Sequence, residues 1–88
     1  MNNDITNLRK KLIYRSQYRG TKEMDKLIGS FVENHIDNFD YSDLKDLEKF
    51  IEIDDDTLYK FYNNQKILNK FLDTKVVKLF KSYDYGNE

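Results

Sequence analysis

The stretch Met24-Asp25-Lys26-Leu27-Ile28-Gly29-Ser30-Phe31-Val32-Glu33-Asn34-His35-Ile36-Asp37-Asn38-Phe39 decides the fold. Met24, Leu27, Ile28, Phe31, Val32, Ile36 and Phe39 recur at the spacing of one helix face over four turns. That period predicts an amphipathic helix at the centre of the core. Gly29 interrupts it at a position where glycine costs about 1 kcal/mol against alanine, so the sequence predicts close approach by a neighbouring helix.

Upstream, Thr21 is a natural N-cap for this helix, and Glu23 and Asp25 in its first turn complement the positive end of the dipole. Gly20 precedes it and ends an earlier helix over residues 4–19, because glycine accepts the left-handed conformation of a C-cap. Ile5, Leu8 and Leu12 form the apolar stripe of that first helix, with Ile13 and Tyr14 expected to broaden it. Downstream, Asp40 reads as an N-cap with Asp43 as its capping-box partner, and Leu44, Leu47, Phe50 and Ile51 supply the third apolar face. Asp54-Asp55-Asp56 opens a fourth helix with Leu58, Phe61 and Tyr62 inward. After a polar link, Asn63-Asn64-Gln65, a fifth helix is expected over residues 67–83, burying Leu68, Leu72, Val76, Leu79, Phe80 and Tyr83. The expected fold is therefore all-α, a single-domain five-helix bundle over residues 1–88, with its core in 5–83 and a frayed tail at 84–88.

Composition agrees. Eighty-eight residues make one domain. Proline is absent and glycines number three, so the turn chemistry of an all-β fold is missing. A chain of this size buries roughly 60–65% of its unfolded surface, which leaves little room for a dedicated catalytic cavity. With no cysteine there are no disulfides, thiolate metal sites or cysteine nucleophiles. A net charge of −1 argues against general nucleic-acid binding. No apolar run approaches the roughly 20 residues of a membrane span. Met1-Asn2-Asn3-Asp4 carries no targeting pattern, so a cytoplasmic, bacterial setting is expected.

Charge is distributed in blocks. Arg9, Lys10, Lys11, Arg15, Arg19 and Lys22 are basic, residues 33–56 are mainly acidic, and Lys66, Lys70, Lys75, Lys78 and Lys81 restore positive charge. Such blocks are read as solvated helix faces that pair across the bundle.

No constellation for catalysis emerges. His35 is the only histidine and lacks partners at triad or metal-site spacing. Read as an EF-hand loop, Asp54-Asp55-Asp56 places Tyr59 and Gln65 where glycine and glutamate are needed, so no metal site is expected. Gly20, Gly29 and Gly86 are too scattered for a phosphate loop. What stands out is the corner Arg15-Ser16-Gln17-Tyr18-Arg19-Gly20-Thr21-Lys22-Glu23: an arginine at a helix end, a glycine turn, and an acid on the next helix's first turn. By local physics Arg19 and Glu23 suit their helix dipoles and pair across the turn; the functional alternative is a rigid, exposed recognition patch.

The chain also resembles the SdhE-type succinate dehydrogenase flavinylation factors. Leu12-Ile13-Tyr14-Arg15-Ser16 leads into Arg19-Gly20-Thr21-Lys22-Glu23, which fits that family's arginine-glycine-x-x-glutamate motif. Met24 to Phe31, Asn34-His35-Ile36, the Leu44 to Ile51 segment and Asp55 to Phe61 follow in order. Phe61 stands where many relatives carry tryptophan, and Asp54 where proline is common. The resemblance implies a five-helix assembly factor that binds the flavoprotein subunit of succinate dehydrogenase, or of fumarate reductase, and promotes covalent attachment of FAD. It implies contact through Arg19, Gly20 and Glu23, flanked by Arg15 and Asp25. It implies no catalytic residue, no stably bound cofactor, and action on the FAD of the partner. A monomer when free, with neither nucleic acid nor membrane as partner, completes the expectation. The alternatives are a helical adaptor with another protein client, a nucleic-acid regulator working through the basic first helix, and a small enzyme.

Overall fold

Each helix after the first opens on a side chain that accepts a backbone N–H from its own first turn. In the computed structural model, which describes residues 2–63 and 74–84, Thr21 Oγ1 accepts from Met24 N at 3.2 Å and starts α2 (Lys22–His35). Asp40 accepts from Asp43 N at 2.8 Å while the Asp43 carboxylate accepts from Asp40 N at 3.2 Å, a full capping box at the head of α3 (Tyr41–Ile51). Asp54 caps α4 (Asp55–Tyr62) through Thr57 N at 3.0 Å. Thr74 caps α5 (Lys75–Lys81) through Val77 N at 3.1 Å. With α1 (Asn2–Gln17), the described residues make an all-α fold of five α-helices and include no strand.

Several boundaries differ from the sequence reading, with α1 beginning at Asn2 and not at 4, and α5 ending at Lys81 and not at 83. The first helix ends at Gln17, not at residue 19, because the Arg19 backbone N–H turns away to the Asp25 carboxylate. The central helix ends at His35, and Ile36–Asn38 tightens into a 3₁₀ turn whose last carbonyl bond runs from Phe39 N to Ile36 O at 3.2 Å. Ile36 and Phe39 stay in the core nonetheless. Of the expected fifth helix, residues 67–73 lie outside the described residues, as do Asn64, Gln65 and the tail from 85 onward.

The core is where the α2 face meets the others. Leu12 of α1, Ile28, Phe31 and Val32 of α2, Leu44 and Leu47 of α3, Leu58 of α4, and Val76 and Phe80 of α5 are fully buried. Phe31 is its aromatic hub, with ring centroids 5.2 Å from Phe80, 5.5 Å from Tyr83 and 6.0 Å from Phe50. His35 lies against the same ring at 4.8 Å, its Nδ1 2.9 Å from Phe31 O, as a helical residue packed beside the core. Phe61 stacks with Phe80 at 6.3 Å, so a phenylalanine fills its site without the polar N–H a tryptophan would have to satisfy. Tyr14 corrects the sequence reading: it is 63% exposed, because two residues from Leu12 is about 200° around the helix.

At Gly29 the end of α1 crosses α2. A Cβ there would stand 3.0 Å from Gln17 Cγ and 3.5 Å from Ser16 O, which explains the glycine inside the most regular helix of the chain. Ser16 beneath the crossing is fully buried and donates to Ile13 O at 2.8 Å.

The charge blocks meet as their order along the chain implies. Lys11 of α1 and Lys45 of α3 both hold Glu48, at 3.0 and 2.9 Å, and Lys75 of α5 reaches Asp43 at 3.5 Å. Hydrogen bonds from Lys45 and Lys11 hold the Glu48 carboxyl down to about 2 from an ordinary value of 4.5. A folded-state value below the unfolded one stabilises the fold above pH 4.5, and that contribution disappears as pH falls through about 2. Urea denaturation should therefore show Glu48→Gln less stable than the parent at pH 7. The gap should narrow below pH 4.5 and close near pH 2; a gap of constant width would show that the lysines do not stabilise the folded carboxylate.

Candidate functional site

The corner between α1 and α2 is built by three side chains acting on backbone. Thr21 caps α2, as above. Asp25, on the first turn of α2, reaches back so that its Oδ1 accepts the N–H of Arg19 and, at 3.3 Å, that of Gly20. Two amides left over after α1 are thereby satisfied by one carboxylate. Gly20 adopts φ +124, a conformation that side-chain-bearing residues rarely take, and it is exposed with nothing within 4 Å of where a Cβ would stand.

Arg19 supplies the third fixing point, and here the expectation of an outward-facing arginine does not hold. Its side chain is only 8% exposed and folds inward across the end of α3. Nε donates to Asp55 Oδ1 at 2.5 Å, Nη1 to Ile51 O at 2.6 Å and Nη2 to Ile53 O at 2.6 Å. The physical reason is a match of charges at two helix ends. The last carbonyls of α3 form a negative terminus that a guanidinium satisfies, and Asp55 sits in the first turn of α4 where a carboxylate is favoured. Nor does Arg19 pair with Glu23. Arg19 and Asp25 form the frame of the corner.

What the frame presents outward is Gly20, Glu23 and Arg15, all exposed. Among the described residues neither Glu23 nor Arg15 has an ion-pair partner. Glu23 stands on the rim of a shallow groove with Thr21, Met24, Asp55, Asp56 and Tyr59. On the other side of the corner Arg15 lies with Tyr14 and Tyr18, whose rings are 4.4 Å apart. The five sequence-derived residues are thus together in one corner, three on its surface and two within it.

Sequence reasoning missed Asp55 and the exposed tyrosines 14, 18 and 59. A signal for Asp55 existed: Asp54 alone caps α4, which leaves the next carboxylate without a capping task. Tyr18 stands within the corner at 15–23 without being singled out, Tyr14 is expected in the apolar stripe, and Tyr59 gives no signal beyond falling off the apolar period.

Among the described residues no cluster of histidine, cysteine, aspartate or glutamate could hold a metal, and no helix is long and apolar enough to cross a membrane. Of the basic residues of α1, Arg9 donates to Phe39 O at 3.1 Å and Lys11 binds Glu48, while Arg19 beyond its end is internal. The geometry defines a small helical module with an exposed corner fixed by Thr21, Asp25 and Arg19. Residues 10–84 match the family model Sdh5, described as flavinator of succinate dehydrogenase, and the chain belongs to this family. It is 31% identical over 80 residues to a mitochondrial succinate dehydrogenase assembly factor 2 of Dictyostelium discoideum, covering 91% of this chain and 57% of that one. It is also 42% identical over 50 residues to the FAD assembly factor SdhE of Acetobacter pasteurianus, covering 57% of this chain and 46% of that one. The chain thus spans about half the length of these curated relatives. No solved structure was found to match it.

Proposed function

We propose that this chain binds the flavoprotein subunit of succinate dehydrogenase, or of fumarate reductase, and promotes covalent attachment of FAD to it. It does so without catalysing the reaction or holding the flavin stably itself. The observation that supports this is the family match, which includes the whole of the Arg19–Gly20–Glu23 corner. The contact surface is Gly20, Glu23 and Arg15, with Arg19 and Asp25 shaping it.

Covalent attachment requires a client histidine held against the flavin in near-attack geometry, and positioning of that kind lowers a barrier substantially. A helper that binds one arrangement of a mobile client better than the others raises the population of that arrangement. A bundle with a pre-set corner suits the task, because little ordering is left to do on binding. It works as a monomer in the cytoplasm, where no export or membrane step is needed. Nucleic acid is a poor fit as partner, since Arg9, Lys11 and Arg19, three of the five basic residues between 9 and 19, already have partners within the protein.

The test is co-expression of the flavoprotein subunit alone, with this chain, and with its Glu23→Ala variant, followed by flavin fluorescence on a denaturing gel. Covalent flavin should depend on the chain and fall severely with Glu23→Ala at equal expression. Attachment that is indifferent to both would sink this reading.

A further inference from the structure

We propose that Arg19 and Asp55 act as a positioning pair. They lock the α1–α2 corner to the α3–α4 junction, so that recognition through Glu23 depends on an aspartate that lines the same groove with its carboxylate turned to Arg19. This rests on the functional reading above and assigns Asp55 a part in it.

The geometry points there because the guanidinium has three intramolecular acceptors at 2.5 to 2.6 Å from two different helix ends. Donors engaged this way reach a client only by giving up charge-assisted bonds in a nearly dry site, where an abandoned partner is strongly destabilising. The neighbouring backbone is tied as well, through Asp25 to the amides of Arg19 and Gly20. The corner is therefore anchored at its inner side by Asp55, Ile51 and Ile53, and on its α2 side by Asp25. Glu23 rides on the first turn between these anchors and, among the described residues, has no ion-pair partner. A free glutamate on an anchored turn meets its partner in one orientation, and releasing the anchor lets that orientation spread.

Two measurements test it, both on the full chain. The first is amide hydrogen exchange of the free protein. Asp55→Asn and Arg19→Lys should each speed exchange at Arg19 and Gly20, leaving the buried α5 amides near Phe80 unchanged. Unchanged exchange at the corner overturns the lock, whether or not the flavoprotein proves to be the client.

The second is titration of the purified flavoprotein subunit at temperatures where every variant is folded. Asp55→Asn should weaken binding about fivefold or more, as coupled neighbours do, and adding Arg19→Lys should weaken it little further. The Glu23→Ala penalty should shrink in the Asp55→Asn background, which a general loss of stability would not cause. Full affinity in Asp55→Asn with loss in Arg19→Lys would instead make Arg19 a direct contact. Multiplying effects of the two substitutions would also overturn the pairing. Absence of binding by the parent chain would remove the proposed client and leave the exchange experiment to decide the lock.

Discussion

Phe31→Ala should bring the protein close to unfolding at ordinary temperature, lowering its stability by about 3–5 kcal/mol. The ring is fully buried and meets Phe50, Phe80, Tyr83 and His35, so its removal leaves a cavity bordered by side chains from three helices and the segment after α5. A small domain has on the order of 5–10 kcal/mol in total, so the loss is a large fraction of what holds the fold. In a domain of this length each kcal/mol shifts the melting midpoint by roughly 4–8 °C. Thermal melts followed by circular dichroism should therefore show a fall well beyond 10 °C, with Phe31→Leu much milder. A change within about 0.5 kcal/mol, the size of an ordinary surface substitution, would show that the hub lies elsewhere.

Gly20→Arg should abolish client binding while leaving the bundle folded. Its two effects separate cleanly, because none of the described residues comes within 4 Å of a Cβ at this position. At φ +124 any side chain strains the backbone, by roughly 1–3 kcal/mol, and Gly20→Ala should show nearly all of that cost. Arginine adds bulk and charge directly on the proposed contact surface. Unfolding curves of the two variants should thus nearly coincide, whereas a pull-down with the flavoprotein subunit should retain a weakened Gly20→Ala and lose Gly20→Arg. Capture of Gly20→Arg at the parent level would move the docking edge away from this corner.

The helices were legible because their signals are carried by side-chain types at fixed spacings. The α2 face, the Asp40–Asp43 box and the close approach at Gly29 all follow from such patterns. The corner was legible as a place, through Gly20 and the flanking Arg19 and Glu23. Its wiring was not. Arg19 is held by the carbonyls of Ile51 and Ile53, and a backbone acceptor has no letter of its own in a sequence. A span of more than thirty residues separates donor from acceptor, so no local rule links them. The ends of α1 and α2 were misplaced for a different reason, since a carboxylate six residues away and a 3₁₀ turn override the periodic pattern.

The crossing of α1 over α2 carries a consequence for how this protein can change. Positions 17 and 29 share one small volume, filled from one side by the Gln17 stem and left open on the other by the missing Cβ. Any methyl gained at 29 presses on the Gln17 stem unless that side chain gives way or is shortened. The two positions are bound as a pair, and the α1–α2 corner two residues beyond Gln17 inherits whatever tilt their compromise imposes on the first helix.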